Sequence, residues 1–367
     1  MKRVFLALFT CLLLLCSACS KETTSPKSEA SSESNELKTE AGFTFVPYED
    51  GVCITAVDID KNGSAIIIPA KLDNKDVLKI DIYDYQLTSL DVHLAKKLEN
   101  LCCIKCHLSK LDVSKNTFLK ELCCAQNELT NLDLSKNADL YNLSCDNTAL
   151  TELDLSKNTA LKMLFCSENE LTKLDLNQNT ALVIICCGDN NLTDLDLSNN
   201  TALISISCGY NNLTDLDLSK NIHLKSICCY NNLLTDLDLA NNNKLETLEC
   251  FNNQLTALNV SKNTLLNTIN CEVNQLTQLD LTNCTLLKEL DCDFNALAEL
   301  DISKSIKLEE LYCSYNMLKN LDVSNNTALT CLFCDNNMLT KLDLSNNTKI
   351  TQYNYEHNTG PEFDIIK

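Results

Sequence analysis

Cysteine stands at every twenty-first position from Cys103 to Cys334, twelve times in a row without an insertion or deletion. A fixed period of this length means that each unit is one turn of a stack, so residues at one phase point the same way in every turn. The chain must then fold as a solenoid, and whatever is specific about it has to be sought where the pattern breaks. Its 367 residues are 45% hydrophobic and supply a long core, while only 6 Gly leave little for glycine-rich nucleotide loops. With 30 basic against 50 acidic residues the formal charge is -20. Nowhere do Lys and Arg cluster into a nucleic-acid footprint, so nucleic acid is excluded as a partner class.

One unit, residues 161–181, reads LKMLFCSENELTKLDLNQNTA, and its first half has the form L-x-x-L-x-C-x-x-N-x-L. This resembles the leucine-rich-repeat signature with Cys166 in the third apolar slot, and the resemblance covers residues 77 to 360. It implies a leucine-rich-repeat solenoid in which each first half is a short strand, the strands lie parallel along a concave face, and the Asn closes the turn with backbone hydrogen bonds. The second half repeats the form L-x-x-L-x-L-x-x-N, which leaves no room for a convex helix, so the fold is expected to be mostly β. The second-half Leu recurs thirteen times from Leu90 to Leu342. At about 4.8 Å per coil, 13 coils give a rod or arc of roughly 60 Å. Cys106 and Thr148 replace the first-half Asn, and Cys284 and Ser305 the second-half one.

The ends read differently. Lys2 and Arg3 precede an apolar run, Val4 to Leu15, which is too short to span a bilayer and has the layout of a signal peptide. Cys16-Ser17-Ala18-Cys19 resembles the lipobox of bacterial lipoproteins, which implies a signal peptide over 1–18, acylation of Cys19 and a membrane-anchored place in the cell envelope. Residues 19–41 then read as a lipidated Cys and a Ser, Thr, Glu and Lys tether with almost nothing to bury. Residues 42–76 alternate apolar and polar positions around a turn at Lys61-Asn62-Gly63 and read as an N-terminal β cap. The run Ile66-Ile67-Ile68-Pro69 is similar to the start of BspA-type repeat proteins. Repeats occupy 77–349. Residues 350–367 read as a half-coil and cap, with Tyr353 and Tyr355 plugging the open last coil.

Core cysteine is simplest as a small apolar filler. Neighbours in one column are about 4.8 Å apart, too far for a relaxed disulfide whose Cβ atoms prefer about 3.8 Å, so the ladder is expected to be free thiols. The set resembles the cysteine-ladder repeats of the internalin J type, carried by listerial surface adhesins. Cys102, Cys103, Cys106, Cys123 and Cys124 crowd two coils, but adjacent strand residues face opposite sides and no His pair stands at ligand spacing, so no metal is expected. Cys102 and Cys123 are expected to face outward as an exposed, redox-active pair. A second ladder runs from Asp91 to Asp343; single carboxylates lack the six to eight oxygens of calcium sites, so a turn role is expected. The four His occupy scattered phases and form no catalytic set. No enzyme and no cofactor are expected.

Numbered from the first Leu of each coil, positions 3, 5, 7 and 8 face out of the concave sheet or its rim, and there the sequence stops repeating. Phe165, Tyr210, Tyr230, Phe251, Phe294, Tyr312, Tyr315 and Phe333 all fall at positions 5, 7 or 8. Glu249, Glu272, Asp291 and Asp293 share these columns. Rings beside charges are what interface hot spots use. Together with the resemblance, they imply a cell-surface recognition or adhesion protein that binds a protein partner on its concave face. A glycan-binding surface lipoprotein is the alternative, and an envelope spacer with ring positions set by strand propensity is the bland one.

Overall fold

The computed structural model describes residues 37–358 and 363–366. The expected signal peptide, Cys19 and the tether up to residue 36 lie outside the described residues. Residues 37–367 form one unit, and its main feature is a single 18-stranded sheet. From Lys75–Tyr83 through Asn100–Ile104 to Gln352–Asn354, each first-half strand pairs in parallel with the strand twenty-one residues further on. Ser144, Phe165 and Cys186 therefore stand side by side, as do Leu143, Leu164 and Ile185. Alternation along a strand sends the second set inward and the first outward.

The interior is built from columns. Leu, Ile or Val at positions 1, 4, 11, 14 and 16 and the ladder cysteine at position 6 pack into one continuous core, and each of the twelve ladder cysteines is fully buried and forms no disulfide. Burial pushes the Cys187 thiol up to about 12, so these side chains act as neutral apolar fillers, not nucleophiles.

Two asparagine columns tie the coils together. At position 9, Asn169 Nδ2 donates to the carbonyls of Cys166 in its own coil and Cys145 in the previous one, at 3.1 and 3.0 Å, while Oδ1 accepts from Leu150 N. At position 19, Asn179 Nδ2 donates to the carbonyls of Leu155 and Asn158. The implied turn-closing role of Asn is thus present, and it also links one coil to the next. The Asp ladder has the expected turn role: Asp133 Oδ1 accepts from Ser135 N at 2.9 Å, and the same bond recurs along the convex side. That bond and the Ser135 hydroxyl hold the Asp133 carboxyl below its usual range.

The N-terminal cap is itself a modified coil. Phe43–Tyr48 pairs antiparallel with Gly51–Val57, which takes the concave slot by pairing in parallel with Lys75–Tyr83. Ala65–Ile67 takes the convex slot beside Ser89–Asp91. The turn at Lys61-Asn62-Gly63 is the end of a single helical turn, Ile59–Asn62, with Asp58 accepting from Lys61 N and Gly63 at φ 72° ending it. One expectation is corrected here. The tether does not run to 41, because Lys38–Glu40 joins the sheet, aided by the Lys38–Asp73 ion pair at 2.6 Å. At the other end Tyr353 and Tyr355 stack 5.2 Å apart, Tyr355 and Phe363 pack on the core, and Asp364–Ile366 pairs with Lys341–Asp343.

Candidate recognition face

Position 5 is the outward residue that ends each three-residue repeat strand, as Phe165 ends Met163–Phe165, but neighbouring coils crowd it. Phe165 is 4% exposed and Tyr312 8%, and Tyr230 at position 7 is 6% exposed. The expectation of eight bare rings is therefore corrected: residues 4.8 Å apart in one column shield each other, so a side chain can point outward and still be covered. The same shielding buries Cys123 and half-buries Cys102 and Cys228. Cys102 and Cys123 are adjacent across the sheet as expected, but they are not an exposed pair.

Position 8 behaves differently. In fourteen coils, from Asp84 to His357, this residue lies in the left-handed region, with φ between 49° and 61°. The turn aims its N–H along the stack: Tyr315 N donates to Asp335 O at 3.0 Å. Left-handed backbone costs an L-residue on the order of 1–2 kcal/mol and suits Asn or Asp far better than bulky side chains. Several coils comply, with Asn147, Asp189, Asn231, Asn252 and Asn336 at this place. Tyr210, Val273, Phe294 and Tyr315 do not. Strand propensity cannot account for them, since they are not in strand conformation.

These position-8 side chains are the accessible ones. Tyr210, Phe294 and Tyr315 are 40%, 45% and 47% exposed, and Val273 joins them on the rim with Met317 and Met338 at position 10. Val273, Met317 and Met338 were missed at the sequence level because they are not aromatic. Their signal was available in the register: Glu128, Glu170, Gln254 and Gln275 hold position 10 elsewhere.

The rings form three groups. Tyr230 stacks on Phe251 at 4.6 Å and meets Tyr210 edge-on at 5.5 Å. Glycine permits this arrangement, since a Cβ on Gly209 would lie 2.6 Å from the Tyr230 ring. Phe294 stacks on Tyr315 at 4.3 Å, and Tyr312 faces Phe333 at 5.4 Å. Phe165 stands apart, two coils before Tyr210.

Between the position-5 and position-8 rings runs an acidic column. Asp293 Oδ1 accepts from Ser314 N, Ser314 Oγ donates to Asp335 Oδ1 at 2.6 Å, and Asp291 Oδ1 accepts from Asp293 N at 3.2 Å. Asp291 and Asp335 are buried, and Asp293, Glu249 and Glu272 are half-buried. Burial, reinforced by the charge of Asp291, pushes the Asp293 carboxyl up to about 8. Burial, with Glu289 and Asp291, pushes Glu249 to about 7. No Lys or Arg occupies positions 3, 5, 7 or 8 in the coils from 224 to 358. Among the described residues, no group of three or more His, Cys, Asp or Glu is placed to hold a metal ion.

A stack of parallel coils with a uniform interior and one varied face and rim defines the class of leucine-rich-repeat interaction scaffolds. No family model matches the sequence, and no curated protein matches it. Solved structures do. The functional domain of InlJ from Listeria monocytogenes, which includes a cysteine ladder, is 33% identical over 76% of this chain and 67% of that chain, with a TM-score of 0.67. The leucine-rich effector protein YopM from Yersinia pestis is 25% identical over 83% of this chain and 86% of that one, at 0.64. The plant peptide hormone receptor RGFR1, in complex with RGF2, is 20% identical over 76% and 49%, at 0.66, and shows the fold alone. The chain belongs to the leucine-rich-repeat family, with cysteine-ladder coils of the internalin kind.

Proposed function

We propose that the protein is a non-enzymatic recognition or adhesion module of the cell surface, and that it binds a protein partner along the C-terminal part of its concave face. One observation carries the reading: the chain accepts left-handed strain at Tyr210, Val273, Phe294 and Tyr315 in order to present apolar side chains to solvent. Strain of this kind persists where function over-determines it, and rings on a polar rim are typical anchors of protein interfaces. The likeness to the InlJ domain supports the same reading. Glycan binding is less well supported, because the stacked pairs turn their inner ring faces on each other and leave fewer flat faces for a sugar. Anchoring through Cys19 at the outer membrane or a Gram-positive plasma membrane belongs to this proposal and rests on the lipobox alone.

The test is a binding screen of the full chain against extracellular-matrix proteins and a glycan array, with Phe294→Ala/Tyr315→Ala alongside. Protein binding that falls about tenfold or more in the variant, with an unchanged unfolding midpoint, is expected. Glycan hits lost in the variant would replace a protein partner with a sugar, and silence on both arrays would favour the envelope spacer. Metabolic labelling with a palmitate analogue should mark the wild type and not Cys19→Ser.

A further inference from the structure

The coils over 308–328 and 329–349 hold five sulfur atoms between them, in two very different settings. Cys313, Cys331 and Cys334 are buried, whereas Met317 and Met338 are 46% and 41% exposed. Resting on the recognition reading above, we infer that Met317 and Met338 form a modification site, at which a peroxide oxidises the two thioethers and weakens the binding of a partner along the rim.

The fold sets both side chains on the rim. Met317 N donates to Leu297 O at 2.9 Å and Met338 N to Leu318 O at 2.8 Å, so each backbone is tied to the coil before it. The two thioethers thus repeat at one phase of neighbouring coils, and Met317 follows two residues after Tyr315 of the exposed Phe294–Tyr315 pair. Access and chemistry then favour them over the other sulfurs. A thiol reacts as its thiolate, and burial pushes the Cys334 thiol up to about 12 and holds Cys313 well above the ordinary range. A thioether has no proton to lose, so exposure governs its reaction. Met163, on a concave strand, is half-buried.

Hydrogen peroxide balances the step. The sulfur lone pair attacks one peroxide oxygen, the O–O bond breaks, and the second oxygen leaves as water. Sulfur loses two electrons to become the sulfoxide and the peroxide gains them. A methionine sulfoxide reductase reverses the change, releasing the oxygen as water while one dithiol becomes a disulfide.

The register shows what the product does to the protein. Gln254 and Gln275 hold position 10 in two earlier coils, so a polar side chain of similar length suits this turn. Oxidation should therefore leave the coils folded and make the rim polar beside Phe294 and Tyr315, where recognition needs it apolar. Leu233 holds the same position at 42% exposure, so the turn also takes an apolar side chain that peroxide does not attack.

The experiment treats the full chain with hydrogen peroxide at about pH 5, where an ordinary thiol of pKa about 8.5 is almost wholly protonated, and maps oxygen gain by peptide mass spectrometry. Met317 and Met338 are expected to gain one oxygen each before Met163 or any cysteine, and the reverse order would overturn the site. In parallel, a random peptide display library is panned on the untreated chain, and peptides lost by Phe294→Ala/Tyr315→Ala are kept as probes. Peroxide should weaken their binding to the wild type about fivefold or more, and methionine sulfoxide reductases with dithiothreitol should restore it. Met317→Leu/Met338→Leu should bind them before and after treatment alike. Equal losses in both proteins would trace the effect to another residue, and an oxidised wild type that binds unchanged would leave the sulfoxides without consequence; either result overturns the inference while the recognition reading stands. Untreated Met317→Gln/Met338→Gln is the independent check: it should bind as weakly as the oxidised wild type, and full binding would also overturn the inference. If panning yields no peptide that depends on Phe294 and Tyr315, the recognition reading falls and the inference with it.

Discussion

The coils from 98 to 202 and those from 203 to 349 share one skeleton and differ almost wholly in what they show to solvent. Both halves repeat the buried Leu and Cys columns, the coil-to-coil Asn bonds and the left-handed residue at position 8. In the first half, position 5 holds Cys102, Cys123, Ser144, Phe165 and Cys186, small or well covered, and position 8 holds polar residues such as Lys105, Gln126 and Glu168. In the second half the same places add Glu249, Asp291, Tyr312 and Phe333 to Ser207, Cys228 and Asn270, and Tyr210, Val273, Phe294 and Tyr315 to Asn231, Asn252 and Asn336. Since the backbone is alike, the difference cannot be a requirement of folding. A solenoid whose stability is a sum over similar coils can carry a costly surface on some of them.

The comparison is most directly broken by striking the shared skeleton once in each half. Asn190 Nδ2 donates to Cys166, Cys187 and Gly188 carbonyls and its Oδ1 accepts from Leu171 N. Asn274 does the same with Cys250, Cys271, Glu272 and Leu255. Replacing either by Ala strands buried carbonyls and an N–H, at a cost of about 3 kcal/mol. Denaturant unfolding of Asn190→Ala and Asn274→Ala should therefore show similar losses. A much smaller loss at Asn274 would mean that the second half is already loosened and that its surface is not the only thing that differs.

A smaller effect separates the halves. Asp293 has its folded value raised to about 8 from 3.8, so between those values the folded chain keeps a proton that the unfolded chain releases. Stability from this group is therefore lost as pH rises from about 4 to about 8. Asp293→Asn should match the wild type near the acid end of that window and exceed it above pH 8 by on the order of 1–2 kcal/mol. In the first half Asp146 is raised only to about 6, by burial opposed by bonds from Ser167 N and Ser144, so Asp146→Asn should gain less and over a narrower range. Thermal unfolding across pH reads both. A flat difference for Asp293→Asn would show that its carboxyl carries no such burden.

Much of this was legible beforehand because a period fixes phase. Once Cys103 to Cys334 were in register, the free thiols, the lack of room for a convex helix and the turn role of Asp91 to Asp343 followed from spacing and strand alternation, while the parallel strands were implied by the leucine-rich-repeat resemblance. What the register could not convey was how far one coil shades the next. Phe165, Tyr230 and Tyr312 carry the right phase for exposure and are buried all the same, as is Cys123. The cap over 42–76 was legible as β but not as a disguised coil, because only Ile66 and Ile68 keep the spacing of the repeat. The left-handed turn was the deeper omission. Asn and Asp at position 8 in many coils announce it, but Tyr, Phe and Val at the same place read as strand formers until the backbone is seen.

That turn gives the finest test. At Val273, φ is 52°, a conformation in which a β-branched side chain crowds its own backbone, and the side chain gains little in return because it stands exposed on the rim. Asn fits the same turn in the adjoining second-half coil at Asn252, also at φ 51°. Val273→Asn should therefore stabilise the chain by about 1 kcal/mol, and Asn252→Val should cost a similar amount. Thermal unfolding of the two reciprocal variants measures both. If the rim serves recognition, the stabilised Val273→Asn protein should also bind its partner less well, a gain in folding set against a loss in function. A Val273→Asn protein no more stable than the wild type would show that position 8 exacts no strain, and the argument that its apolar residues are there for a partner would lose its footing.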